Sequence, residues 1–325
     1  MRRPFSKRVK IISALAVLLA LGAFAIWLSF PKKLAARLGY PSDARLLIIH
    51  ADDFGVCHSV NAATIRALET GAVTSASLMV PCPGFEEAAV YCRDNPEADV
   101  GLHLTFTNEY EDYHWGPVSS ALEVPSLVDK NGHFYLTTEQ VWEHGAAEQV
   151  EMEMRAQIEK ALKAGIRPTH VDSHMGVLFG AKFILVYLRV ASEYHLPAMM
   201  PRQYISSEQS QGLRSPHELL QRLFSLWLDA SGHLMIDRLY IGGLDEIAIP
   251  QTEYYPWVIE NLGPGVNQVL VHLAFDGGDL RSLGNEARRV EDFRVVTSPK
   301  IRELLESKKI VLIGYRPILE LGGKR

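Results

Sequence analysis

The stretch Leu46-Leu-Ile-Ile-His-Ala-Asp52-Asp53-Phe-Gly55 constrains the fold of this chain more than any other. Four consecutive aliphatic residues with no polar face read as a strand covered on both sides, as in a parallel sheet wrapped by helices. The strand runs straight into two adjacent carboxylates and a glycine. Burying two ionised carboxylates side by side is costly unless a cation or a proton neutralises one of them. Neighbours on a strand point in opposite directions, so Asp52 and Asp53 share one site only if the strand frays at Asp53. The competing reading is a helix N-cap, a position that Asp favours. It accounts for one aspartate and leaves the other unexplained.

Beyond this stretch, strands are expected at 46–50, 73–80, 99–106, 170–174, 196–200, 239–241, 267–273 and 310–315. Helical periodicity fills 59–71, 85–93, 138–164, 179–195, 216–227, 254–262 and 298–307. Strands that alternate with helices about seven times imply parallel strands joined by helical crossovers. No G-x-G-x-x-G follows the first strand, so a dinucleotide-binding sheet fits poorly. The expected fold is α/β, an irregular or incomplete parallel (β/α) barrel of about seven strands, preceded by one N-terminal transmembrane helix.

That helix is read from Ile11 to Phe30, 20 residues without a charge. At about 1.5 Å per residue they match a bilayer core of about 30 Å. Arg2, Arg3, Lys7, Arg8 and Lys10 precede the run, and Lys32, Lys33 and Arg37 follow it. A cleaved signal peptide competes, because Ala23-Phe-Ala25 has the form of a cleavage site. The apolar run continues past Ala25, so a signal anchor is preferred, with residues 1–10 a basic cytoplasmic tail, 31–45 a linker and 46–325 an exported barrel domain. Residues 1–37 hold eight of the 33 basic residues and no acidic one, leaving 25 basic against 38 acidic residues in the remainder. Such a surface argues against nucleic acid as a partner. Three cysteines without a C-x-x-C pattern read as small buried hydrophobes rather than a disulfide framework.

Asp52, Asp53, His103, His174, Arg202 and His272 all fall within or just after expected strands. In a parallel barrel the C-terminal strand ends share the face that carries active sites. One carboxylate and two imidazoles with open positions make a hydrolytic metal site, and a second carboxylate is then free to act as base. A lone histidine such as His103 is otherwise a satisfied core residue, and Asp172 suits a brace for His174. The long irregular stretch 107–136 carries Tyr110, Tyr113 and Trp115. Their rings suit either stacking on sugars or stapling the loop down. Tyr113 and Trp115 are the candidate substrate-binding aromatics.

These motifs resemble one family. His50-Ala-Asp52-Asp53-Phe-Gly55 with Asn61, followed by Gly71-Ala-Val-Thr74-Ser75-Ala-Ser-Leu-Met79, is similar to the opening of the YdjC/ChbG-type carbohydrate deacetylases. Gly101-Leu-His103-Leu-Thr, Val124-Pro-Ser-Leu-Val-Asp-Lys-Asn-Gly132-His-Phe and Thr169-His-Val-Asp172-Ser-His174 resemble later motifs, so that the likeness spans about 46–320. The resemblance implies a barrel-like hydrolase that removes N-acetyl groups from amino sugars with one divalent metal ion, Mg²⁺ or Zn²⁺. It assigns Asp53, His103 and His174 as metal ligands, Asp52 as general base, His272 as the acid for the leaving amine, and Arg202 as the arginine after the fifth strand. The chain departs from the family pattern at Met175-Gly176, where members often read Gln-His, and at His272-Leu-Ala, where they usually read His-Pro-Gly. The anchor is unlike the soluble members and points to an acetylated envelope glycan or glycolipid as partner. Two alternatives are a metal-dependent amidase or esterase on another acylated envelope substrate, and an inactive membrane-anchored glycan-binding protein.

Overall fold

The computed structural model describes residues 33–110, 112–206, 218–242 and 249–323. The apolar run 11–30 lies outside them, and among the described residues no helix is long and apolar enough to cross a membrane.

The aliphatic strand is the centre of the sheet. Strand β1 (Arg45–Phe54) is buried at every position after Arg45. It pairs in parallel with β2 (Ser75–Leu78) on one side and β7 (Gly265–Val271) on the other. Outward from these lie β3 (Val100–Leu104) and β4 (Val171–Ser173), then β6 (Ile236–Ile241) and β5 (Pro201–Ser206). The order is β4-β3-β2-β1-β7-β6-β5, and β8 (Val311–Leu312) pairs separately with β1. The sheet curls until its two edges almost meet. Val171 of β4 donates to Pro197 O (2.9 Å) and accepts from Met199 N (2.8 Å), just ahead of β5. This single bridge, Val171 to Ala198, makes the fold an incomplete parallel barrel.

Helices Phe85–Asp94, Ala147–Lys163 and Ile184–Glu193 bury Ala88, Met154, Ile158 and Tyr187 in one core with Val100, Leu102 and Val171. On the other flank Val258 and Ile259 of helix Gln251–Glu260 and Ile301 of helix Pro299–Ser307 pack with Leu47, Ile49 and Val269. Burial of the Val, Leu, Ile and Met side chains among these stabilises the domain by roughly 1.5–3 kcal/mol each.

Several expectations need correction. The first strand does not stop at His50 but carries both aspartates, and the following helix His58–Glu69 is capped by Cys57, so neither aspartate is its N-cap. The single helix expected over 138–164 is two, Thr138–His144 and Ala147–Lys163. Gly145 turns extended (ψ 126°), and a Cβ there would meet Val141 O at 2.7 Å, so a continuous helix is interrupted at the glycine. The strand expected at 196–200 makes only the bridge at Ala198, while β5 begins at Pro201. Helix Glu286–Val296 and the terminal helix Arg316–Gly322 have no counterpart among the expected elements. The stretch 31–45 includes a short helix, Leu34–Arg37, whose Leu34 and Ala35 are buried.

Candidate active site and metal centre

The polar end of β1 is built by a break in the strand. Pairing with β2 slips between Ala51 and Phe54, and Asp53 sits in the left-handed region (φ 64°). Non-glycine residues are uncommon there and cluster at functional sites. This twist cancels the strand alternation, so that both carboxylates reach His103. Gly55 completes the turn at φ +92°, where a Cβ would strike Leu78 at 2.6 Å. Its amide donates to Asn61 Oδ1 (2.7 Å), whose own amide donates to Gly84 O (2.9 Å).

Three strand ends then converge. His103 on β3 is the register partner of Asp172 on β4, and His174 follows β4 directly. Asp53 Oδ1 lies 3.5 Å from His103 Nε2 and 3.4 Å from His174 Nδ1. The far nitrogen of each ring is held by a carboxylate: His103 Nδ1 donates to Asp172 Oδ1 (2.7 Å), and His174 Nε2 to Glu109 Oε2 (2.9 Å). Those bonds fix the tautomers and leave one lone pair on each ring facing Asp53. Asp53 Oδ1 is itself buried without a hydrogen-bond partner. With both rings neutral, as a bound cation requires, three acceptors face one point with no donor among them, which is the chemistry of a cation site with its ligands oriented from behind. Asp53, His103 and His174 therefore fit a divalent ion.

The charge balance agrees. Asp53 and Glu109 share one buried guanidinium, Arg289, whose Nη2 donates to Asp53 Oδ2 (2.6 Å) and contacts Tyr110 OH (3.0 Å). Burial opposes ionisation of Asp53, yet Arg289 and His174 hold its carboxyl well below the usual range. Burial likewise opposes charge on His174, but Glu109 and Asp53 push it up to about 10. The pocket recruits positive charge, whether from a proton or from a metal.

Asp52 has a different environment. Burial raises it to about 6, against the pull of His103 and His50. Its Oδ2 lies 3.9 Å from both His103 Nε2 and His272 Nε2. Its Oδ1 lies 3.4 Å from His50 Nε2, which also bonds Asp172 Oδ2 (3.0 Å) and Ser77 Oγ (3.1 Å). His272 follows β7; its amide donates to Asp292 Oδ2 (3.1 Å), and burial lowers the ring to about 3.

The structure thus brings together Asp52, Asp53, His103, Asp172, His174 and His272. It does not bring Arg202 into contact with them. Because β5 starts at Pro201, Arg202 stands near the beginning of that strand rather than past its end, and it pairs with Asp229 (2.6 Å) and Asp237 (3.7 Å). Trp115 is no sugar platform. It is only 4% exposed, its Nε1 donates to Thr107 O (3.0 Å), and Tyr110 and Tyr113 pack edge-on around it. Tyr113 donates to Val56 O (2.8 Å), so both aromatics staple the loop to the barrel. Glu109, Arg289, His50 and Ser77 are site residues that the sequence reading does not single out. His50 and Ser77 lie inside the quoted motifs without being given a role, Glu109 has only its place in a long loop of the kind that usually serves a site, and Arg289 has no signal.

Comparison with known proteins agrees with this geometry. The YdjC-like protein family matches residues 46–307. Relatives named carbohydrate deacetylase include one from Brevibacillus brevis, 29% identical over 83% of this chain and 98% of its own length. One from Thermus thermophilus is 30% identical over 84% of this chain and 93% of its own length. A solved structure from Enterococcus faecalis V583, described as a cellobiose-phosphate cleavage protein, superposes with a TM-score of 0.70 at 28% identity, covering 85% of this chain and 99% of that one. From the barrel, the motifs and these matches, the chain belongs to the YdjC-like protein family.

Proposed function

We propose that this chain is a metal-dependent carbohydrate deacetylase that hydrolyses the acetamide of an N-acetylated amino sugar. The observation that carries the reading is the unpartnered Asp53 Oδ1, faced by one ring nitrogen each of His103 and His174 whose other nitrogens are clamped by carboxylates. The names of the relatives support the substrate class. Asp53, His103 and His174 would hold a divalent ion, which would supply Lewis acidity for the acetamide carbonyl and for water activation. In this reading Asp52 takes the proton of the attacking water; its Oδ1 lies 3.4 Å from His50 Nε2. In this reading His272 returns a proton to the departing amine; its Nε2 lies 3.9 Å from Asp52 Oδ2. Burial keeps the resting His272 neutral, so the proton it donates is one it gains during turnover.

The test is metal analysis of the purified chain, wild type beside His103→Ala, with acetate release from N-acetylated chito-oligosaccharides followed on the same samples. Metal and acetate in the wild type, both lost in the variant, are expected. Metal without acetate would redirect the site to other acyl substrates, and no metal at any loading would sink the reading.

We also propose that Ile11–Phe30 anchors the domain to a membrane, with the basic residues before it on the cytoplasmic side. Alkaline extraction of membranes from expressing cells should leave the chain in the pellet. Its release into the supernatant would refute the anchor.

A further inference from the structure

The end of the barrel where the strands begin is closed by helix Leu34–Arg37. Leu34 and Ala35 share a core with Leu46, Ile236 and Val266, which lie at the beginnings of β1, β6 and β7. Two residues, Pro31 and Lys32, separate Lys33 from the end of the apolar run at Phe30. The four residue steps from Phe30 to Leu34 reach at most about 14 Å. A run that spans a bilayer therefore sets this floor of the barrel against the lipid headgroups. Beside the floor, helix Glu218–Ala230 turns an apolar stripe to solvent: Leu223, Leu226 and Trp227 are 54%, 46% and 47% exposed. We propose that this stripe is a membrane-surface contact, resting in the headgroup layer of the bilayer that holds the N-terminal run and seating the barrel with its mouth turned away from the lipid, an inference that rests on the anchor reading.

The spacing i, i+3, i+4 puts the three side chains on one face of the helix. Leu228 and Asp229 bury the opposite face. Arg202 holds Asp229 (2.6 Å), so that carboxylate is turned away from the stripe. A chain of contacts ties the stripe to the floor. Trp227 stacks on Phe224, with ring centres 5.6 Å apart, and on His233 at 6.3 Å. Leu234, the next residue, packs against the core that holds Leu34. Contiguous exposed apolar side chains mark interaction sites, and a tryptophan, with its apolar body and polar N–H, suits the boundary between headgroups and acyl chains. A helix face of this kind sinks about 5–10 Å into that boundary. The bilayer is the occupant that the chain itself brings within reach, since the apolar run ends so close to the floor. The seating has a consequence for the substrate. Asp53 lies seven residues beyond Leu46 on β1, about 23 Å along the strand. The mouth then faces glycans in the aqueous space rather than sugars on lipids of the same leaflet.

Cys57, Cys82 and Cys92 are buried, so a cysteine introduced at the surface takes a thiol-reactive fluorophore selectively. The test labels Leu226→Cys with an environment-sensitive dye in the full chain, reconstituted in phosphatidylethanolamine–phosphatidylglycerol vesicles that carry spin-labelled lipids as quenchers. Leu122→Cys, in the exposed loop after β3 on the mouth side, is the control. The Leu226→Cys label should emit to the blue and be quenched most by a spin label close to the headgroups, while the Leu122→Cys label does neither. Leu223→Cys, on the same stripe, should report as Leu226→Cys does, which guards against a disturbance by one label. Water-like emission from both stripe labels in a chain that floats with the vesicles would overturn the contact and leave the anchor in place. A blue shift that spin-labelled lipid does not quench would assign the stripe to a second copy or another protein, and overturn the contact as well. Lipid quenching of Leu122→Cys would bring the mouth to the membrane and overturn the seating. A chain that fails to float with the vesicles would refute the anchor, and the contact with it.

Discussion

The two sides of the barrel mouth treat their histidines in opposite ways. On the β3–β4 side, His103 and His174 each have a carboxylate behind one nitrogen and Asp53 in front of the other. On the β7 side, His272 has its backbone tied to Asp292, while its Nδ1 is buried without a partner and its Nε2 lies 3.9 Å from Asp52 Oδ2. The first arrangement immobilises rings and concentrates negative charge, which suits holding a cation. The second leaves a neutral ring free to gain and lose a proton, which suits general acid–base work. Asp52 and Asp53 divide along the same line. Adjacent in sequence, one is raised to about 6 by burial, and the other is held low by Arg289 and His174 despite its burial.

The division breaks most visibly at Asp52 and His272. Asp52→Asn and His272→Gln should each lower turnover by about 10²–10⁴ while metal content stays at the wild-type level. Loss of metal in either variant would show that the two sides are one unit. Next in size is Arg289→Met, which removes the guanidinium behind Asp53 Oδ2, the strongest positive charge on that buried carboxylate. Urea unfolding without added metal should show a loss of about 3–5 kcal/mol. A change below about 1 kcal/mol would mean that Asp53 is not ionised in the folded chain. The mildest change is Glu109→Gln, which keeps a hydrogen-bond acceptor for His174 Nε2 and removes the charge. Metal affinity should fall by about 10–100-fold, with turnover restored at saturating metal. Unaltered affinity would remove Glu109 from the cation side of the comparison.

Much of this is legible in the sequence. The aliphatic run of β1 demands burial on both faces, and the alternation of strands and helices then requires parallel neighbours. Because parallel strands end on one face, Asp53, His103 and His174 are recognisable as a group although 121 positions separate the first from the last. The sequence misleads where local pattern competes with register. Arg202 follows an apolar run and resembles a strand end, but the hydrogen bonds begin at Pro201 and turn the same residue into a strand beginning. Trp115 in a polar loop reads as exposed, but Thr107 O and two tyrosine rings bury it.

What the sequence by itself determined is the barrel and the types of candidate ligand at its strand ends, because side-chain period and strand polarity are local properties. Only the tertiary structure decided how those ligands are charged and aimed. The left-handed turn at Asp53 brings both aspartates to one site. Arg289 reaches Asp53 from a helix 236 positions away, and Glu109 reaches His174 across 65. These long-range contacts carry no sequence period, since electrostatics and hydrogen bonding depend on distance in space and burial rather than on distance along the chain.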